Sequence, residues 1–135
     1  LMRDEMVFVC SQNSHLCPEL EEDQPYLSAA RLSNLPLLIR DPQQTIYNTL
    51  YARDITVHAS GVFSSIEGIK NAAAYDLGIG VVSRFALEND HRLKEITVEG
   101  GNIYRNITLA YLTSAKRSPL LEKLIQFIIS YTKEP

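Results

Sequence analysis

Residues 64–83 read SSIEGIKNAAAYDLGIGVVS, and this stretch predicts a helix followed directly by a buried strand. The motif Ser64-x-x-Glu67 has the spacing of a capping box, in which a serine side chain accepts a hydrogen bond from the first turn of a helix. The helix is predicted to end near Tyr75, because the aspartate that follows tolerates a left-handed backbone. Ile79 to Ser83 is apolar on both faces, as strands of a parallel sheet are.

Strands and helices are predicted to alternate on both sides of this stretch. Short apolar runs bounded by polar residues or proline predict strands, and apolar residues at helical spacing predict helices. The other predicted elements are strands Met6–Cys10, Pro36–Arg40, Ile55–Ala59, Leu93–Val98 and Ile103–Thr113, helix Gln43–Ala52, one helical turn in Ser28–Asn34, and a last helix opened by Ser118 and Pro119. This alternation indicates an α/β domain with a mostly parallel sheet flanked by helices.

The charge pattern excludes some classes of partner for this segment. The chain has 135 residues and a net charge of −3, and its basic residues are scattered from Arg3 to Lys133. A nucleic-acid-binding surface usually shows clustered lysine and arginine, so any DNA-binding part is expected to lie elsewhere. No apolar run approaches the roughly 20 residues that span a bilayer, and no membrane contact is expected.

Residue types that carry catalysis or metal binding form no convincing motif. His15, His58 and His91 lie far apart in the sequence, and no serine stands in a nucleophile elbow. Gly78 and Gly80 open a strand rather than follow one, which is the reverse of the order in a dinucleotide-binding motif. The sequence therefore predicts no catalytic residue, no cofactor and no metal ion.

The two cysteines, Cys10 and Cys17, are too few for a disulfide scaffold and lack the partners of a zinc site. Because disulfides are rare in the cytosol, two reduced thiols of a cytoplasmic protein are the favoured interpretation. A redox switch is the alternative.

Three stretches resemble the effector-binding domain of LysR-type transcriptional regulators. Leu32 to Arg40 (LSNLPLLIR) is similar to a strand of that family, and residues 64–83, the most specific stretch, are similar to its helix-then-strand signature. Tyr104 to Tyr131 resembles its arginine-containing strand and final amphipathic helix. Asp76 and Ser83 depart from the family pattern, where a glycine and a proline are common, and both stand at turn positions that tolerate the change.

The resemblance implies a periplasmic-binding-protein-like fold of type 2, with two α/β lobes joined by crossing strands and a small effector between them. On this map about residues 6–100 form the second lobe, and 103–135 form a strand and helix that return to a first lobe largely absent from the chain. That lobe and a DNA-binding winged helix-turn-helix are expected to precede Leu1. The implied protein is a cytoplasmic homo-oligomeric regulator, and not an enzyme.

Two alternatives remain at the level of sequence. A solute-binding lobe for transport of a small anion shares the two-lobe architecture. A small α/β enzyme is supported by the fold class alone, and a fold does not determine function.

The candidate ligand site lies in two predicted loops, one after the Pro36–Arg40 strand and one before the capped helix. Ligands of α/β domains bind at the carboxyl ends of parallel strands, beside helix N-termini. A small anion or carboxylate is expected there, because arginine offers it paired donors. The expected ligand-binding residues are Arg40, Gln43, Gln44, Thr45, Gly61, Phe63, Ser64 and Ser65. The alternative interpretation of each is ordinary turn or capping chemistry.

In the peroxide-sensing branch of the family, the reactive cysteine lies near the loop after the strand that Pro36–Arg40 resembles. Here that loop reads Asp41, Pro42, Gln43 and Gln44. Peroxide sensing by that mechanism is therefore not expected.

The last predicted helix has a wide apolar stripe, formed by Leu120, Leu121, Leu124, Phe127, Ile128 and Tyr131. Leaving such side chains in water costs about 1.5–3 kcal/mol each. The helix is therefore expected to pack against another copy of the chain or onto the second lobe.

Overall fold

The computed structural model describes residues 1–17, 26–40, 44–112 and 118–132. Its strands are β1 (Met2–Ser11), β2 (Leu37–Arg40), β3 (Ala59–Phe63), β4 (Ile79–Ser83), β5 (Leu93–Ile96) and β6 (Ile103–Ile107), and its helices are α1 (Ala29–Ser33), α2 (Gln44–Ala52), α3 (Ile66–Ala74) and α4 (Pro119–Thr132). No helix in these ranges is both long and apolar enough to cross a membrane.

The chain divides into two compact units. The larger unit is Glu5–Tyr104, which contains β2 to β5 and the first three helices. The smaller unit combines Leu1–Asp4 with Arg105–Pro135 and contains α4. The boundaries fall within β1 and β6, so both of these strands contribute to both units.

Within the described residues, six strands form one mixed sheet in the order β3-β2-β4-β1-β5, and β6 also pairs with β1. Strand β2 runs parallel to β3 and β4. Strand β1 lies between β4 and β5 and runs antiparallel to both. The parallel part of this α/β sheet is thus its β3-β2-β4 side.

The core of the larger unit lies on both faces of the sheet. Met6 and Phe8 of β1 belong to one buried cluster, and Val7 and Val9 belong to a second. This alternation follows from the two-residue period of a strand, which turns successive side chains to opposite faces. Apolar residues of α1 and α2 join the first cluster and those of α3 join the second, so helices cover both faces.

Strand β3 lies later in the chain than its prediction, Ile55–Ala59, which is wrong. Ile55 is buried and Val57 packs against the first core cluster, but both lie outside the strands. Gly61 is expected in the loop before the capped helix, yet it lies inside β3 opposite Leu38. Burial of apolar residues from a loop thus produced the pattern of a strand.

Strand β6 ends at Ile107, although alternation in the sequence predicts a strand from Ile103 to Thr113. Strand β6 pairs with β1, and the Leu1 amino group donates to the Ile107 carbonyl at 2.9 Å. Residues 108–112 are not strand, and Thr113 lies outside the described residues.

The start of α4 agrees with its prediction. The Leu121 N–H donates to the Ser118 hydroxyl at 3.2 Å, and Pro119 is the first helical residue. Proline suits this position because the first N–H groups of a helix have no acceptor within the helix.

Candidate functional site

The two loops that the sequence singles out meet at one edge of the sheet. Strands β2 and β3 are parallel, and their register places Arg40 opposite Phe63 at the carboxyl end of both strands. The Arg40 side chain is exposed, whereas the Phe63 ring is partly buried against the second core cluster. The chain segments that follow these two strands therefore begin side by side.

The N-terminus of α3 follows β3 after only two residues, Ser64 and Ser65. The Ser65 hydroxyl accepts a hydrogen bond from the Gly68 N–H at 3.1 Å and is the cap of this helix. The sequence-based assignment of the cap to Ser64 is wrong, because Ser65 is the residue in extended conformation immediately before the first helical residue. The N–H groups of Ile66 and Glu67 have no acceptor within the helix and carry the positive end of its dipole.

Two glycines make room for the Phe63 ring. A Cβ atom on Gly61 would lie 2.6 Å from Cε2 of that ring and 3.2 Å from Cδ2 of Leu38. A Cβ atom on Gly68 would lie 3.1 Å from Phe63 Cδ1. Gly61 is therefore not a loop residue at this edge, and what it provides is space for Phe63.

The segment after β2 is described in part. Gln43 lies outside the described residues, and Gln44 and Thr45 form the first turn of α2. Only three residues separate Arg40 from this turn, so the N-terminus of α2 also follows the carboxyl end of its strand closely.

Arg84 is a residue of this edge that the sequence analysis missed. It follows β4, which runs parallel to β2. Its guanidinium donates to Glu5 and, through two nitrogens at 2.8 and 2.9 Å, to Glu95. Glu5 also accepts from Asn102 at 2.9 Å and from the Tyr104 hydroxyl at 3.3 Å.

These hydrogen bonds set the charge state of the cluster. The bond from Arg84, followed by the bond from Asn102, lowers the pKa of Glu5 to about 2, and the two carboxylates raise the pKa of Arg84. Glu5 and Arg84 stand 79 positions apart in the sequence. The only feature of the local sequence that pointed to this cluster was Arg84 itself, a positively charged residue directly after the buried strand β4.

Metal binding finds no support in the part of the chain that the structure describes. No three or more histidine, cysteine or acidic side chains there are grouped as metal ligands would be. What the edge does offer is an exposed guanidinium and two helix N-termini, which suits a negatively charged small molecule.

Comparison with known proteins identifies the domain. A family model described as the LysR substrate binding domain matches residues 1–133. The chain belongs to this family. The LysR substrate-binding domain has the periplasmic-binding-protein-like α/β fold of type 2, so the predicted family and fold class are confirmed. No curated protein matches the chain by sequence.

Solved regulatory domains of LysR proteins share this fold. The regulatory domain of CcmR from Synechocystis PCC6803, in complex with 2-PG, has a TM-score of 0.78 at 17% identity over 98% of this chain and 65% of its own. The effector-binding domain of QuiR, in complex with shikimate, has a TM-score of 0.81 at 16% identity over 98% of this chain and 63% of its own.

Full-length HypT from Salmonella typhimurium, described as a hypochlorite-specific LysR-type transcriptional regulator, has a TM-score of 0.64 at 20% identity. The match covers 98% of this chain and 45% of HypT. The chain thus spans less than two thirds of each of these three structures. At such low identity the similarity shows the fold alone.

Proposed function

We propose that this LysR substrate-binding domain senses a small molecule for a transcriptional regulator, with the effector bound at the carboxyl edge of β2 and β3. The observation that carries the proposal is the register that sets Arg40 opposite Phe63. Ligands of α/β domains bind at this edge, where helix N-termini meet them. The complexes of CcmR with 2-PG and of QuiR with shikimate support a small molecule as the ligand.

A small anion or carboxylate is the ligand that these groups favour. The Arg40 guanidinium can donate two parallel hydrogen bonds to a carboxylate, and the capped N-terminus of α3 adds unpaired N–H groups. Gly61 contributes by leaving space for the Phe63 ring. The proposed ligand-binding set is Arg40, Gln43, Gln44, Thr45, Gly61, Phe63, Ser64 and Ser65.

In the intact regulator we assign residues 6–100 to the second lobe and 103–135 to a strand and helix of the first lobe. The regulator would be a homo-oligomer that contacts DNA through a winged helix-turn-helix outside this chain. The intact regulator would exist in two conformations. The effector would change the equilibrium between them only to the extent that it binds one conformation more tightly than the other. The transport alternative is not favoured, because the family model that matches is that of the LysR regulators.

Thermal unfolding of the intact sensing domain against small carboxylates, amino acids and inorganic anions tests the proposal. A ligand at about 100 times its Kd adds roughly 2.7 kcal/mol to the free energy of unfolding, which appears as a higher Tm. We expect at least one member of the panel to raise the Tm.

Arg40→Ala tests the site itself. We expect it to weaken binding of the active ligand by about tenfold or more, because a charged hydrogen bond contributes roughly 1.5–3 kcal/mol. Arg31→Ala is the matched control, since Arg31 is another exposed arginine but lies on α1, before β2. Equal affinity in the wild type and the Arg40 variant would refute the assignment of the site.

A further inference from the structure

Glu5 lies at the same edge of the sheet as Arg40 and on the same face. Strand β1 runs antiparallel to β4 and β2 runs parallel to it, so the start of β1 and the end of β2 lie at one edge. Leu38 and Val7 belong to the second core cluster, which α3 covers. Arg40 and Glu5 lie two residues from Leu38 and Val7, so they point to that same face.

The register of the sheet sets the separation of Arg40 and Glu5. Leu38 of β2 and Val9 of β1 both stand opposite Gly80 of β4. Arg40 lies two residues beyond Leu38 towards the edge, and Glu5 lies four residues beyond Val9. With about 4.8 Å between strands and about 3.3 Å per residue, the Cα atoms of Arg40 and Glu5 are roughly 12 Å apart. Both side chains can therefore reach one small molecule at the N-terminus of α3.

The positive charge of Arg84 is already committed to carboxylates. Its Nε donates to Glu5, and its two terminal nitrogens donate to the two oxygens of Glu95 at 2.8 and 2.9 Å. The hydrogen bond from Arg84 lowers the pKa of Glu5 to about 2, so Glu5 is ionised at neutral pH. Two carboxylates thus surround one guanidinium, and the excess of negative charge disfavours a second anionic group of a ligand at this place.

Glu5 has the exposure and the acceptor capacity to bind a ligand. Its side chain is 26% exposed. Oε1 accepts from Asn102 at 2.9 Å and from the Tyr104 hydroxyl at 3.3 Å, and Oε2 accepts from Arg84. Because a carboxylate oxygen has two lone pairs, Oε2 can accept one more hydrogen bond. The existing bonds fix the orientation of the carboxylate before a ligand arrives, which lowers the entropic cost of binding.

The two sides of this edge therefore differ in charge. Arg40 and the N-terminus of α3 offer hydrogen-bond donors to an anion, whereas Glu5 offers an ionised acceptor. We propose that Glu5 is a specificity-determining residue of the effector site and selects an amino acid, whose carboxylate binds on the Arg40 side and whose ammonium group binds Glu5. This inference rests on the proposed function and narrows its ligand class. A simple carboxylate gains nothing from Glu5, and a dicarboxylate is repelled there.

Isothermal titration calorimetry of the intact regulator with matched compounds tests the proposal. The proteinogenic amino acids are titrated first, and each one that binds is compared with the acid that lacks only its amino group, as 3-phenylpropanoate lacks that of phenylalanine. We expect at least one amino acid to bind about tenfold more tightly than its deamino counterpart, because the counterpart loses a charged hydrogen bond. Equal or tighter binding of the deamino acid in every pair would overturn the proposal.

Glu5→Gln tests the residue itself. It removes the negative charge and keeps nearly the same shape, so the preference for the amino acid should disappear while the deamino acid binds at least as tightly as to the wild type. A variant that is only destabilised would lose affinity for both compounds alike. Glu88→Gln is the matched control and should keep the preference, because Glu88 is an exposed glutamate outside the Arg84 cluster. An unchanged preference in the Glu5 variant would refute its role.

The outcomes separate this inference from the proposed function. If simple carboxylates bind and no amino acid does, the effector site stands and the role of Glu5 is refuted. If neither class of compound binds, the proposed site fails and the inference fails with it. A hydroxy acid such as 3-phenyllactate that binds as tightly as its amino counterpart would show that Glu5 recognises a hydrogen-bond donor rather than a positive charge, and would overturn the choice of an amino acid.

Discussion

Ser65, rather than its neighbour Ser64, stabilises the first turn of α3. The Ser65 hydroxyl accepts from the Gly68 N–H at 3.1 Å, whereas Ser64 is exposed and precedes the cap. Ser65→Ala should lower the free energy of unfolding by about 1 kcal/mol, and Ser64→Ala should change it by less than about 0.5 kcal/mol. Urea denaturation of both variants measures the difference, and equal losses would contradict the assignment of the cap.

Glu5 should make the free energy of unfolding depend on pH under acidic conditions. Its pKa is lowered from 4.5 to about 2, first by the hydrogen bond from Arg84 and then by that from Asn102. A carboxyl group with a lower pKa in the folded state contributes stability that is fully present above the unfolded value. That contribution is lost as the pH falls from about 4.5 towards 2.

Glu5→Gln should therefore flatten the loss of stability in this pH window. Urea unfolding at several pH values gives the slope for each protein. Glu88→Gln is the control, because Glu88 is an exposed glutamate outside the Arg84 cluster. The same slope in the Glu5 variant and the wild type would refute the role of Glu5.

At the scale of the element, local signals predicted some boundaries and tertiary partners determined the others. Strand β4 has the predicted bounds, and Asp76 adopts the predicted left-handed turn. Strand β6 is shorter than predicted, and its partner is the distant strand β1, which no local pattern can reveal. The choice between Ser64 and Ser65 as the cap depends in the same way on where β3 ends and α3 begins.

The pairing of β1 with β6 includes a buried ion pair that should be costly to break. The Asp4 carboxylate is 1% exposed and accepts from Arg105 Nε at 2.7 Å, and the Arg105 side chain is 33% exposed. Arg105→Met removes the Arg105 hydrogen bond and positive charge from this buried carboxylate, which should cost about 3 kcal/mol in free energy of unfolding. Chemical denaturation measures the loss, and the Asp4→Asn, Arg105→Met double variant should recover part of it. A single variant as stable as the wild type would show that the pair contributes nothing.

At the scale of the whole molecule, the sequence located the edge of the candidate site but not all of its residues. Parallel strands followed by helices indicated two loops at one edge, and the register of Arg40 with Phe63 agrees with that expectation. Arg84 was missed because its partner Glu5 comes from a strand near the start of the chain that inserts beside β4. Such an insertion depends on contacts between distant segments, which periodicity does not encode.

Helix α4 presents an apolar face that should cause this chain to associate with itself in solution. Phe127 is 64% exposed and stacks on Tyr131, which is 73% exposed. Burying one such side chain contributes about 1.5–3 kcal/mol, and Leu120 and Leu124 lie exposed on the same helix. We therefore expect the sedimentation coefficient of the chain to rise with protein concentration.

Phe127→Glu should abolish this rise, because a carboxylate cannot be buried at the contact without a partner. Gln126→Glu adds the same charge at the adjacent exposed position and should leave the association intact. Sedimentation velocity over a range of concentrations compares the three proteins. A wild-type chain that stays monomeric at every concentration would show that α4 does not bind a second copy. An association that the Phe127 variant retains would place the contact on another surface.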